Sequence, residues 1–217
     1  MRGLYAILDL DTCTRHELEP MPVARALLST SPAALQVRAK NQDVDGLRKL
    51  LALLREEAGT TPLVINDHWE LAESGLAGFV HIGQGDIAPE ELRQRAPHVS
   101  FGISTHSLQQ LEAALHHAPS YVAIGPVFET RSKMNPEPVV TPGILEQAFA
   151  LARAASVPLV TIGGIDEENL ALVVRHCDAV AMIGALLRPK ASAEDGGDRY
   201  EAISARARRI QRAILEG

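Results

Sequence analysis

Four things are missing from this sequence of 217 residues, and each absence closes off a class of protein. No apolar run approaches the roughly 18 residues of a membrane-spanning helix. Only two cysteines occur, Cys13 and Cys177. They are too few for a disulfide framework and lack metal-ligand spacing, so they read as ordinary packed thiols in a reducing cytoplasm. The N-terminus enters Leu4-Tyr5-Ala6-Ile7-Leu8 directly, without the basic region, apolar stretch and cleavage site of a signal peptide. Basic residues are not in excess: 21 Lys plus Arg stand against 27 Asp plus Glu, a net charge of -6. The mean field therefore attracts neither nucleic acid nor an acidic membrane, and the expected partners are small molecules. An anionic ligand would have to be met by a local cluster of cations.

What is present is a core-forming chain. With 46% hydrophobic residues and no long polar tract, residues 1–217 are expected to form a single domain. Short apolar runs recur about every 25 residues, each followed by a stretch of helical periodicity, the pattern of repeated βα units. The runs are Leu4 to Leu8, Ala34 to Val37, Leu63 to Ile65, Phe79 to Ile82, Ser100 to Ile103, Tyr121 to Ile124, Leu159 to Ile162 and Ala179 to Ile183. They are continuously apolar instead of alternating, as parallel strands buried on both faces must be. Helices are expected at Val44 to Ala58, Leu108 to His117, Ile144 to Ala154, Glu167 to Arg175 and Arg199 to Ile214, with Ala191 to Asp198 as a flexible linker before the last. Eight units indicate an α/β fold of the closed (β/α)8 TIM-barrel class, with a doubly wound open sheet as the competitor.

In such a barrel the active site forms from the carboxyl ends of the strands and the loops after them. The second strand runs into Gln36-Val37-Arg38-Ala39-Lys40, where alternation puts Gln36, Arg38 and Lys40 on one side. A guanidinium with a bidentate grip and a mobile ammonium suit a diphosphate, although the segment also reads as a solvated loop. The third strand ends Ile65-Asn66-Asp67 and the fourth His81-Ile82-Gly83-Gln84-Gly85-Asp86. Two carboxylates at neighbouring strand tips suit Mg2+, which takes one or two carboxylates plus water and phosphate oxygens. Alternatively, Asp67 and Asp86 cap the helices that follow.

Ser104-Thr105-His106 follows the fifth strand, with Ser104 a donor to a ligand heteroatom and Thr105 or Ser107 a helix cap. His106 reads equally as structural. After the sixth strand comes Gly125-Pro126-Val127-Phe128 and then a connection long for a βα unit, where Thr130, Ser132 and Lys133 offer hydroxyl and ammonium donors to an anion. The seventh and eighth strands end Ile162-Gly163-Gly164-Ile165 and Met182-Ile183-Gly184-Ala185. Glycine-lined N–H groups near helix starts at these two strands form the common phosphate site of this barrel. The sequence thus presents two anion sites, one beside carboxylates and one without them.

Six of these segments, in order and spread over nearly the whole chain, resemble thiamine phosphate synthase: Gln36 to Lys40, Ile65 to Asp67, His81 to Asp86, Ser104 to His106, Gly125 to Phe128 and Ile162 to Ile165. The resemblance implies a transferase of thiamine biosynthesis that joins a pyrimidine methyl diphosphate to thiazole phosphate and releases pyrophosphate. It implies Gln36, Arg38, Lys40, Asn66 and Lys133 on the diphosphate substrate, with Arg38, Lys40 and Lys133 aiding catalysis. It further implies Mg2+ on Asp67 and Asp86, Ser104 on the pyrimidine, and Thr130, Ser132, Gly164, Ile183 and Gly184 around the thiazole phosphate. In that family's reaction pyrophosphate departs first, leaving a methylene cation that the thiazole nitrogen attacks. The chain departs from the family at Ala39 (usually Glu), Ser132 (usually Thr) and Gly184 (usually Ser). The related thiazole tautomerase is the nearest rival, but it places a catalytic histidine where Pro126 stands. A third reading is a non-catalytic barrel that keeps the phosphate site. A homo-oligomer is compatible with everything read so far.

Overall fold

The computed structural model describes residues 1–40, 43–130, 137–188 and 198–217. Eight parallel strands, β1 (Gly3–Asp9), β2 (Ala34–Arg38), β3 (Leu63–Asn66), β4 (Phe79–Ile82), β5 (Ser100–Thr105), β6 (Tyr121–Ile124), β7 (Leu159–Ile162) and β8 (Ala179–Met182), close into a barrel in sequence order. Closure is made by β8 on β1, with Gly3 opposite Ala179 and Ala6 opposite Met182. The open-sheet alternative is thereby excluded. Around the barrel lie α1 (Leu10–Arg15), α2 (Pro20–Leu28), α3 (Val44–Glu57), α4 (Trp69–Glu73), α5 (Pro89–Arg95), α6 (Leu108–His116), α7 (Pro142–Ala154), α8 (Gly184–Leu187) and α9 (Arg199–Glu216).

Each strand divides its side chains between two cores. One face packs outward on the helices, where Leu4, Leu8, Leu35, Val37 and Ile65 meet residues such as Leu47, Leu51 and Leu54 of α3. The other face fills the barrel with Tyr5, Ile7, Ala34, Val64, Tyr121, Ala123, Val160, Ala179 and Ala181. Tyr121 fits there because β5 carries Gly102 opposite it: a Cβ at Gly102 would lie 2.0 Å from the Tyr121 ring. The last helix, α9, buries Ile203, Ala207, Ile210 and Ile214, packs on α2 and β1, and receives the Leu4 N–H on Gln211 Oε1 at 2.6 Å. Fully burying each of these isoleucines contributes roughly 1.5–3 kcal/mol.

One expected helix is absent. Between β7 and β8, residues Glu167 to Arg175 contain two 3-10 turns, Leu170–Leu172 and Val174–His176, in place of an α-helix. Asp166 Oδ1 accepts from the N–H groups of Glu168 and Asn169, and Asn169 Oδ1 accepts from that of Asp166. These local bonds compete with the helical ladder, and Val173-Val174 weakens it further. The expected linker Ala191 to Asp198 lies, but for Asp198, outside the described residues. Among the described residues no helix is long and apolar enough to cross a membrane.

Candidate active site

Register places the polar residues of β2 to β5 inside the barrel rim. Gln36 lies opposite Ile7 of β1 and Val64 of β3, both in the inner core. Arg38 is opposite Asp9, Asn66 opposite His81, and Ser104 opposite Ala123. Gln36 is 2% exposed, and its Nε2 has no hydrogen-bond partner among the described residues. A buried, unpartnered amide donor costs free energy unless something from outside completes it, so Gln36 is aimed at a ligand.

Arg38 is not a free cation. Its Nη1 pairs with Oδ2 of Asp9, which is 3% exposed at the tip of β1. The other carboxylate oxygen of Asp9 accepts from Thr12 N–H at 2.8 Å and Thr12 Oγ at 2.6 Å. Asp9 therefore caps α1 and holds the guanidinium at once. Sequence reading passed over Asp9, although it ends a strand as the other site residues do and has a hydroxyl three residues later.

The carboxylates of Asp67 and Asp86 meet. The Asp67 carboxyl is pushed above its ordinary 3.8, first by burial, then by the charge of Asp86 and a hydrogen bond with it. Lys40 and Arg38 pull in the opposite direction. Asp67 sits in the left-handed region at φ 66°, which aspartate tolerates better than most residues, and donates its N–H to His81 O at 3.1 Å. Asp86 accepts the Gly83 N–H on Oδ2 at 2.5 Å. Neither carboxylate caps a helix: the residues at the caps of α4 and α5 are His68 and Ala88, and neither makes a side-chain bond there. Two carboxylates in contact with each other, in the field of two cations, fit a divalent ion completed by ligand oxygens. Among the described residues no cluster of three or more His, Cys, Asp or Glu ligands stands anywhere, so these two carboxylates would share the ion with ligand oxygens and water.

Ser104 Oγ lies 2.7 Å from His81 Nε2, and the Ser104 carbonyl accepts from Gln84 Nε2 at 2.6 Å. His106 is structural: its Nδ1 donates to Gly125 O at 2.5 Å. Ser107, not Thr105, caps α6, accepting the Gln110 N–H at 3.2 Å. Thr105 donates instead to Ala123 O at 2.9 Å.

On the opposite side, Gly163 and Gly164 have φ 102° and 69°. A Cβ on Gly164 would come within 2.4 Å of Glu129 O and 2.7 Å of Phe128 Cβ. The segment that leads to Thr130 thus lies directly on this glycine pair, tied by Phe128 N–H to Gly163 O at 3.0 Å. Ile183 packs on the inner core and precedes α8, whose first residue is Gly184. The first N–H groups of a helix lack an intrahelical acceptor; in α8 Leu186 is the first to find one, on Ile183 O at 3.1 Å. A Cβ at Gly184 would meet nothing within 4 Å. Lys40 is exposed just beyond β2. Ser132 and Lys133 lie outside the described residues.

The barrel fold agrees with what comparison with known proteins returns. A family model described as thiamine monophosphate synthase matches residues 4–186. A thiamine-phosphate synthase of Koribacter versatilis (strain Ellin345) is 39% identical over 195 residues, covering 85% of this chain and 88% of its own. The thiamine biosynthesis bifunctional protein ThiED of Geobacter sulfurreducens is 35% identical over 191 residues, which are 86% of this chain but 37% of that protein. Among solved structures, a thiamine phosphate pyrophosphorylase from Pyrococcus furiosus superposes with a TM-score of 0.78 at 24% identity, covering 98% of this chain and 96% of its own, a likeness of fold. The chain belongs to the thiamine monophosphate synthase family.

Proposed function

We propose that the barrel mouth joins a pyrimidine methyl diphosphate to thiazole phosphate, with Mg2+ held by Asp67 and Asp86, and releases pyrophosphate. The family activity, thiamine-phosphate synthesis, is a group transfer, and the chain is a transferase acting on small molecules. The observation that carries the proposal is the Asp67 and Asp86 pair set among Arg38, Lys40 and the unpartnered Gln36 amide.

In this reading Arg38, oriented by Asp9, and Lys40 bind the diphosphate, and Gln36 and Asn66 donate to it. Ser104 meets the pyrimidine. Thr130, Gly164, Ile183 and Gly184 receive the thiazole phosphate, with Ser132 and Lys133 assigned by resemblance alone. When bound, Mg2+ neutralises charge that develops on the leaving diphosphate. The protein supplies position and fixed dipoles, so that pyrophosphate leaves first and the thiazole nitrogen attacks the methylene cation from a set distance. No nucleophilic side chain is required. Every residue named comes from one chain, so the reading holds for a monomer and for a homo-oligomer. The two buried free thiols, Cys13 and Cys177, suit work in a reducing cytoplasm.

The test is to incubate the protein with both substrates, in Mg2+ and in excess chelator, and to measure pyrophosphate. Release that needs both substrates and the metal is expected. Release of equal rate in chelator contradicts the metal assignment, and no release under any condition contradicts the function.

A further inference from the structure

A string of four polar side chains runs up through the barrel interior. Tyr5 Oη lies 2.7 Å from Tyr121 Oη, Tyr121 Oη 2.8 Å from His81 Nδ1, and His81 Nε2 2.7 Å from Ser104 Oγ. The Tyr121 and His81 rings stack 13° from parallel. Tyr5 and Tyr121 are 2% and 0% exposed among apolar neighbours such as Ile7, Val64 and Val160. His81 and Ser104 are half-buried, with Ser104 at the mouth end of the string. Packing does not require the two phenolic oxygens, since phenylalanine would fill the same space, and an apolar core penalises hydroxyls that lack partners.

Counting protons fixes the direction of the string. A neutral imidazole, two phenols and one hydroxyl carry four protons between them, while three links use three. Burial pushes both phenols above their ordinary range and keeps them protonated. The imidazole proton always lies in a link, because both ring nitrogens do, so the spare proton sits on Tyr5, Tyr121 or Ser104. Were it on either tyrosine, an O–H would be stranded in the apolar core. Tyr5 Oη has no hydrogen-bond partner but Tyr121 among the described residues. Only the spare proton on Ser104 faces the open mouth. The favoured order is therefore Tyr5 donating to Tyr121, Tyr121 to His81 Nδ1, and His81 Nε2–H to Ser104 Oγ.

We infer that Tyr5 and Tyr121 are positioning residues that fix His81 as its Nε2–H tautomer and make Ser104 a hydrogen-bond donor toward the ligand. Ser104 then has its one O–H to offer, which is matched by a ligand acceptor such as a ring nitrogen. Naming the pyrimidine as that ligand rests on the proposed function; the tautomer does not.

The experiment is 15N NMR of the histidine rings in the whole protein, with His81 identified by the signals lost in His81→Gln. A protonated Nε2 beside an unprotonated Nδ1 is expected, and an Nδ1–H tautomer or an imidazolium overturns the inference. Tyr121→Phe should redistribute the His81 tautomers, whereas Tyr5→Phe should leave Nε2–H in place, because Tyr121 keeps its proton. An unchanged signature in Tyr121→Phe, or its loss in Tyr5→Phe, contradicts the order. If Tyr121→Phe does not fold by circular dichroism, the wild-type and Tyr5→Phe spectra decide. In turnover, Tyr121→Phe should lower kcat/KM for the pyrimidine diphosphate about tenfold, the size of one lost hydrogen bond, and leave the thiazole phosphate KM unchanged. Equal losses for both substrates overturn the placement. A wild-type protein without turnover would refute the functional reading and leave the tautomer result to stand by itself.

Discussion

On the β1 to β4 side of the barrel mouth the polar groups are side chains, while on the β7 to β8 side they are mostly backbone. The first side keeps its charges in pairs: Arg38 against Asp9, and Asp67 against Asp86. The second has Gly163, Gly164 and Gly184, with the chain from Pro126 to Glu129 pressed onto the first two. A multiply charged ligand whose charge grows as it leaves needs cations and a metal that can follow it. A phosphate that only anchors its substrate is held well enough by N–H groups at a helix start. The two halves should therefore fail in different ways when changed.

The largest effect is expected on the charged side. Asp67→Asn and Asp86→Asn should each lower turnover roughly a hundredfold or more while the circular dichroism spectrum stays that of the wild type. Retained turnover in either variant would mean that this half needs no carboxylate pair.

Next comes Gly164→Ala, where a positive φ and a 2.4 Å approach to Glu129 O leave no room for a methyl group. A loss of roughly 2–4 kcal/mol in denaturant unfolding is expected, from backbone strain plus overpacking. A stability equal to the wild type would show that the Pro126 to Glu129 segment yields easily.

Arg38→Ala leaves Asp9 buried with its Thr12 bonds but without its cation. Because the pair opens to the mouth, the cost should be roughly 2–3 kcal/mol, below the ~3–5 kcal/mol for wholly buried pairs. The diphosphate substrate should lose far more affinity than the thiazole phosphate. Similar KM changes for both would erase the division between the halves.

A smaller effect separates the halves by pH. Asp67 has its folded pKa raised above 3.8, so its neutral form favours the fold. That contribution is complete below the ordinary value and is lost as pH rises through the raised one. Without metal, the melting temperature should fall over this interval more in the wild type than in Asp67→Asn, and Mg2+ should remove the difference. Parallel curves for the two proteins in chelator would count against the coupled pair.

The smallest change is expected at Gly184. A Cβ there has open space, so Gly184→Ser should leave stability and kcat unchanged. It should lower the thiazole phosphate KM by at most the ~1–2 kcal/mol of a hydrogen bond to a charged group, since a contact remote from the reacting nitrogen stabilises ground and transition states alike. A collapse of kcat would place Gly184 nearer the chemistry than proposed.

The barrel could be read from the sequence because strands buried on both faces leave continuous apolar runs, and all eight runs became strands within two residues of their expected ends. Strand-end reasoning also pointed to Gln36, Arg38, Asp67, Asp86 and Ser104, and the family resemblance to Asn66, residues in or just after the neighbouring strands β2 to β5. What it could not weigh was pairing across the barrel. Asp9 drew no notice at the end of its strand, yet it caps α1 with one oxygen and holds Arg38 with the other. Tyr5 and Tyr121 lie within two of the apolar runs, and only closure of the barrel brings their hydroxyls together from distant parts of the sequence. The Glu167 to Arg175 helix failed because side-chain bonds of Asp166 and Asn169 outcompeted a weak local preference.

The division of the mouth is tested most directly by calorimetric titration of each substrate alone, in Mg2+ and in excess chelator. The pyrimidine diphosphate should bind only with Mg2+ and lose that dependence in Asp86→Asn, while the thiazole phosphate should bind equally in both buffers. Metal-independent binding of the diphosphate, or metal-dependent binding of the thiazole phosphate, would contradict the account.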